Sequence, residues 1–240
     1  MIVKSQIKLI RSLHQKKYRN ENGLFFVEGK KAVQELLNSR FAVVKVYSTE
    51  LGLLPASNEI VELITEAELK KISALNTPNK VLGIFKIPKI EQVNFDDWIV
   101  AVDDVRDPGN LGTIIRLCDW FGIKHLICSK ETVDCYNPKT LQATMGSIAR
   151  VNVGYTDLYD FLKTLEVPIY GAFMNGEVVY ENKLPKSGVL VMGNEANGIS
   201  EKIESLINQK ISIPQFGMQA TESLNVATAT AILLNEIRRG

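Results

Sequence analysis

Residues 107–116 read Asp-Pro-Gly-Asn-Leu-Gly-Thr-Ile-Ile-Arg. Leu111, Ile114, Ile115, Cys118 and Phe121 fall on one helical stripe, so the helix they define should pack that face on a sheet. Arg116 lies nearly opposite, one turn beyond Gly112 and Thr113. Long helical side chains lean toward the helix N-terminus, and Gly112 has no side chain to obstruct that lean. The guanidinium can therefore reach the helix start, where free N–H groups and the dipole already favour an anion. Asn110 stands at the same end, as N-cap or as a polar hand on a ligand. This spacing describes a phosphate clamp; a surface arginine beside a conventional cap explains the same letters.

Two further stretches carry polar residues where a strand should end. Gly188-Val-Leu-Val-Met-Gly193 runs into Asn194-Glu195-Ala196-Asn197-Gly198, and Ile211-Ser-Ile-Pro214 runs through a loop into Glu222-Ser223-Leu224-Asn225-Val226. Short apolar runs stopped by glycine or proline read as central strands of a parallel sheet. In such sheets ligands sit beyond the carboxyl ends of strands, which makes the two turns candidates for one shared pocket. Glu195 could orient the Asn110 loop or accept from a cap. Ser223 and Asn225 flank Leu224 at the start of an Ala/Thr-rich helix, and either could be its N-cap.

The elements that must hold these residues follow from periodicity. Strands at 98–102, 125–128, 151–153, 169–173, 188–193 and 211–214 alternate with helices from about 110 to 121, at 139–145, 158–165 and 223–238, a parallel α/β sheet. Ahead of it, residues 1–87 read as a small α/β module. It has helices at 3–14, 31–38 and 65–75, and strands at 24–27, 42–47, 60–64 and 81–85; 15–23 reads as a polar turn. Residues 88–94 are a proline-bearing linker, and 95–240 the second domain.

Composition narrows the chemistry. Of 240 residues, 45% are hydrophobic and 23% charged, as in a soluble globular protein, and no apolar run approaches the ~20 residues of a membrane span. Cys118, Cys128 and Cys135 are odd in number and lack paired metal spacing, so they read as reduced thiols in the cytoplasm. With His14 and His125 alone, neither a Ser-His-Asp triad nor a multi-histidine metal site is expected, and no metal is assigned. No G-x-G-x-x-G fingerprint or Walker A loop is present. Net charge is +1, yet residues 1–31 hold eight cations against Glu21 and Glu28. That segment suggests a polyanion-facing surface; solvated lysines on an amphipathic helix are the bland account.

Asp107-Pro108-Gly109-Asn110-Leu111-Gly112 with Arg116, Val191-Met192-Gly193-Asn194-Glu195-Ala196-Asn197-Gly198, and Ile213-Pro214 with Ser223-Leu224-Asn225-Val226 resemble the three signature motifs of the SPOUT superfamily, in its SpoU/TrmH branch of RNA ribose 2′-O-methyltransferases. The resemblance covers about residues 96–240. It implies an α/β domain with a deep trefoil knot near the C-terminus, one of the exceptions to unknotted chains. It also implies S-adenosylmethionine bound by Met192, Gly193, Asn194, Ile211, Ile213, Gly217 and Leu224, and a homodimer with the active site at its interface. The family's functional side chains fall on Asn110, Arg116, Glu195, Ser223 and Asn225. Residues 1–87 resemble that branch's L30e-like RNA-binding module through Lys16-Lys17-Tyr18-Arg19 and Phe25-Phe26-Val27-Glu28-Gly29, which casts Lys16, Lys17 and Arg19 as RNA contacts. The stretch from Gln215 to Glu222 is slightly longer than the family pattern. The expected activity is methylation of a ribose 2′-hydroxyl in structured RNA, ribosomal more than transfer RNA. A non-catalytic RNA-binding protein on this fold, or a branch methylating a base nitrogen, are the rivals. In the family Arg116 is cast as general base; a phosphate clamp is the other role open to it.

Overall fold

The computed structural model describes residues 2–57, 59–181, 183–217 and 223–239. From the N-terminus run α1 (Lys4–Ser12), α2 (Lys16–Asn22), β1 (Leu24–Glu28), α3 (Lys30–Leu37), β2 (Val43–Ser48), β3 (Val61–Leu63), α4 (Glu66–Ile72) and β4 (Val81–Lys86). Then come β5 (Trp98–Val102), α5 (Pro108–Trp120), β6 (His125–Ser129), α6 (Pro138–Thr144), β7 (Asn152–Thr156) and α7 (Leu158–Leu162). The chain continues with β8 (Ile169–Val178), β9 (Gly188–Met192), α8 (Glu201–Glu204), β10 (Gln209–Ser212) and α9 (Val226–Arg239). Two compact units result: residues 1–89 with 134–150, and residues 90–133 with 151–240.

The first unit is a four-stranded mixed sheet in the order β1-β4-β2-β3, with β2 and β3 parallel and the other pairs antiparallel. Alternation along β4 assigns its two faces. Leu82 and Ile84 pack with Ile10 of α1 and Leu13 just after it, and with Leu69 and Ile72 of α4. Gly83 and Phe85 point the other way, toward α3: a Cβ on Gly83 would lie 3.2 Å from Val33.

In this unit two features depart from the expectation. Residues 15–23, read as a polar turn, form α2, which ends at Gly23 in the left-handed region, φ 62°. Arg19 points into that unit rather than to solvent and is only 2% exposed. Its Nε and Nη2 donate to Asp134 Oδ2 at 2.9 and 2.5 Å, and Nη1 donates to the Leu13 carbonyl at 2.8 Å. Arg19 is thus a structural cation, which corrects its assignment as an RNA contact; Lys16 and Lys17 are exposed. The second departure is the segment 134–150, expected within the second domain. It clusters with the first unit because Asp134 takes Arg19, the Tyr136 ring lies 4.5 Å from that of Phe25, and Arg150 pairs with Glu35. Breaking a buried ion pair by removing one partner costs ~3–5 kcal/mol. Arg19→Ala should therefore lower the urea midpoint of unfolding markedly, and Arg19→Ala with Asp134→Leu should recover part of it. Equal midpoints for wild type and Arg19→Ala would mean the pair contributes nothing.

The second unit is a six-stranded sheet in the order β10-β8-β9-β5-β6-β7, with every pair parallel, as the strand–helix alternation implied. From β5 the chain moves to β6 and β7 on one side and then returns to build β8, β9 and β10 on the other. The carboxyl ends of β5 and β9 lie side by side, with Val102 opposite Met192, at the reversal where such sheets bind ligands. β10 ends at Ser212, earlier than expected, so Ile213 and Pro214 leave the sheet; proline has no N–H for a ladder. α9 starts at Val226 rather than Ser223, because Asn225 serves as its cap.

Candidate functional site

Asp107, not Asn110, caps α5: its Oδ1 accepts from the Asn110 backbone N–H at 2.7 Å, with Pro108 in the first turn where its missing N–H costs nothing. The Asn110 side chain is thereby free for other work. Its Nδ2 donates to Glu195 Oε1 at 2.7 Å, and its Oδ1 accepts from Asn225 Nδ2 at 2.9 Å. Asn225 Oδ1 in turn accepts from the backbone N–H groups of Ala227 and Thr228 at 3.0 and 3.2 Å, capping α9. A carboxylate only accepts, so Glu195 dictates the orientation of the Asn110 amide, and Asn110 that of Asn225. Three strand-end segments, from the ends of β5 and β9 and the start of α9, are locked by one chain of side chains.

The loop after β9 is rigid for its own reasons. Asn194 Nδ2 donates to the Asp104 carbonyl at 2.7 Å, while its Oδ1 accepts from Ala196 and Asn197 N–H. Backbone bonds of 2.9 Å join Asn194 and Gly198 in both directions. The Asp103 carboxylate accepts from both the N–H and the hydroxyl of Ser200, at 2.9 and 2.7 Å. This folds Gly198 back onto Gly193 so closely that a Cβ on Gly193 would sit 2.2 Å from the Gly198 carbonyl carbon.

Beside these loops opens a cavity of about 920 Å³. Met192, Ile211, Ile213 and Leu224 form apolar wall; Gly193, Asn194, Glu195 and Ser223 line it as well. Gly217 does not line it, and neither does Arg116. Arg116 is exposed on the outer face of α5 and makes no hydrogen bond or ion pair among the described residues. Missing from the sequence reading was a wall from β8. Lys210 pairs with Gly171 but Ile211 with Glu177, so residues 172–176 loop out, and Ala172 to Asn175 line the cavity. β8 runs to Val178, past the end expected at 173, and so takes in Gly176, where a Cβ would lie 2.6 Å from the Ile211 backbone; interior strand glycines mark irregularities and close backbone approach. Of the two carboxylates in the lining, Glu204 is paired with Lys210, whose ammonium also lies 4.7 Å from the Phe173 ring, and Glu195 holds Asn110. The described residues hold no group of three or more His, Cys, Asp or Glu able to take a metal. No described helix is long and apolar enough to cross a membrane.

Residues 97–235 match the SpoU rRNA methylase family. This chain belongs to that family. Residues 4–83 of this SpoU methylase match the MRM3-like substrate-binding domain. It is 30% identical over 240 aligned residues, 97% of its own length and 96% of the relative's, to the 23S rRNA (guanosine(2553)-2′-O)-methyltransferase RlmP of Bacillus subtilis (strain 168). A TrmH-family protein from Porphyromonas gingivalis superposes on it with a TM-score of 0.92 at 36% identity, covering 100% of this chain and 99% of the other. An AdoMet-bound rRNA methyltransferase from Sinorhizobium meliloti does so with a TM-score of 0.87 at 32% identity, covering 100% and 96%.

Proposed function

We propose that this SpoU methylase transfers a methyl group from S-adenosylmethionine to a ribose 2′-hydroxyl of ribosomal RNA. The observation that carries the reading is the Asn110–Glu195–Asn225 chain beside a cavity with largely apolar walls. The Glu195 carboxylate is available to a positively charged sulfonium, and the volume is that of a small-molecule site. Met192, Ile211, Ile213 and Leu224 would hold the apolar parts of the cofactor, and the backbone at 193–195 its polar edge. The bound cofactor supplies an electrophilic methyl group, so the task left to the protein is to align a hydroxyl with it.

Arg116 supplies charge rather than a base. A guanidinium gives up its proton only above pH ~12, so it holds the target phosphate and stabilises negative charge developing on the ribose oxygen, while the proton passes to phosphate or water. Because Arg116 does not line its own chain's cavity, we read the active enzyme as a homodimer in which it serves a partner's pocket. Support comes from the same helix face, where Trp120 is 81% exposed, and from exposed Ile232 on α9, which packs against α5. We assign the second unit the trefoil knot of the superfamily, near its C-terminus, supported by the match of residues 97–235 to the SpoU family. The first unit, with exposed Lys16 and Lys17, would bind the RNA substrate. Cys118, Cys128 and Cys135 are buried and form no disulfide among the described residues, which fits a cytoplasmic setting.

Calorimetry tests the pocket. S-adenosylmethionine should give one saturable binding event per chain, unchanged by EDTA and competed by the demethylated product. Binding that vanishes with EDTA would put a metal in the site and contradict the reading.

A further inference from the structure

The first unit carries an unneutralised basic surface that the assignment of Lys16, Lys17 and Arg19 overlooked. In α1, Lys4, Lys8 and Arg11 are spaced four and three apart and share one helix face, all exposed, while Ile10 on the opposite side is fully buried. None of the three makes a hydrogen bond or ion pair from its side chain among the described residues. Elsewhere exposed cations commonly do: Lys17 pairs with Glu21, Lys80 with Glu50, and Lys163 with Asp160. Two carboxylates near the start of α1 are engaged. Glu62 takes Lys45 and Gln6, and Glu68 takes the Thr65 cap and the Ile2 N–H. With Ile2 bound to Glu68 and the His14 ring bound to the Ile72 carbonyl, α1 and α4 lie side by side in the same direction. α4 thus adds exposed Lys70 and Lys71 to this side of the sheet.

We propose that this outward face of α1, Lys4, Lys8 and Arg11, is the surface that grips the phosphate backbone of the substrate RNA. The proposal rests on the RNA-methylating reading above. Seven residues of helix span ~10 Å, enough for three cations to address separate phosphates of one backbone. A basic amphipathic helix can also lie on an anionic membrane, but that mode needs an apolar face to insert. Here Ile10 and the adjoining Leu13 are already spent in the core of the first unit. A competing basic surface lies on the opposite side of the sheet, the open groove of about 410 Å³ at Lys30, Lys31, Gln34 and Asn38, which Glu35 also lines.

The test compares two full-length variants, Lys4→Ala/Lys8→Ala/Arg11→Ala and Lys30→Ala/Lys31→Ala, with wild type. Binding to a transcribed 23S rRNA is measured over a range of KCl, and unchanged melting and S-adenosylmethionine affinity show that each variant is folded. Each lost phosphate contact removes about 0.7–0.9 from the slope of log affinity on log salt. The triple variant should lose about 2–3 from that slope and bind more than tenfold more weakly near 100 mM salt. An unchanged slope in the triple variant, or a larger loss in the Lys30/Lys31 variant, overturns the proposal. So does loss of binding to anionic vesicles with RNA affinity intact. Methylation of the RNA by wild type is scored separately, so a failure of the catalytic reading is distinguishable from a failure of this surface.

Discussion

Arg116→Ala should lower turnover by on the order of 100-fold or more, the scale of losing one preorganised donor that stabilises developing charge. Folding and S-adenosylmethionine binding should stay nearly intact, because Arg116 is exposed and does not line the cavity. Arg116→Lys separates the two roles this residue could have. A lysine titrates near pH ~10.4, so it abstracts a proton more readily than arginine, yet it cannot hold phosphate through two parallel bonds. If Arg116 clamps, the lysine variant stays nearly as slow as the alanine variant from neutral pH up to about that titration point. A rate that climbs steeply with pH toward wild type would make proton abstraction the role instead. Mixing Arg116→Ala with Ser223→Ala protein tests the shared site. Activity should partly return if the residues serve one pocket from different chains; no return, with subunit exchange verified, places both in one chain's site.

Gly193→Ala should abolish most S-adenosylmethionine binding and lower the melting temperature, while Gly217→Ala should do neither. The added methyl at 193 would meet the Gly198 carbonyl carbon at 2.2 Å and the Ile199 nitrogen at 2.3 Å. These are backbone atoms held by the Asn194 turn, so the clash is relieved only by undoing the loop that carries Glu195. Overpacking of well-packed sites costs ~1–3 kcal/mol even where side chains can give way. At Gly217 nothing lies within 4 Å of an added Cβ. If Gly217→Ala loses the cofactor and Gly193→Ala keeps it, the binding site lies elsewhere than the cavity described here.

The strand-end residues were legible because their constraint is local. A parallel sheet exposes polar turns at carboxyl ends, and Asn110, Glu195 and Asn225 all sit there. The division of labour among them was half legible. Pro108 marks the first helical position and hence Asp107 as cap, a signal that frees Asn110, yet asparagine's own capping preference kept both roles open for it. Gly193 was expected as a cofactor contact, whereas the space at its Cα is taken first by the chain's own turn at 194–198. Long-range partners left no periodic trace. Arg19 among Lys16 and Lys17 looks like one more surface cation until Asp134, far along the chain, is seen to receive it. The same pairing draws 134–150 away from the unit that contains its sequence neighbours. The looped-out residues 172–176 depend on the register of β10, which is set by packing and not by the alternation of β8.

The account stands or falls on which atom of RNA receives the methyl group. Wild-type protein, S-adenosylmethionine with a labelled methyl and unmodified 23S rRNA are incubated, and the RNA is digested to nucleosides and separated. The label should appear in a single 2′-O-methylated nucleoside, within a dinucleotide that resists alkali because its ribose can no longer attack the neighbouring phosphate. Label in a base-methylated nucleoside, or none in RNA from a folded protein that binds the cofactor, would contradict the account.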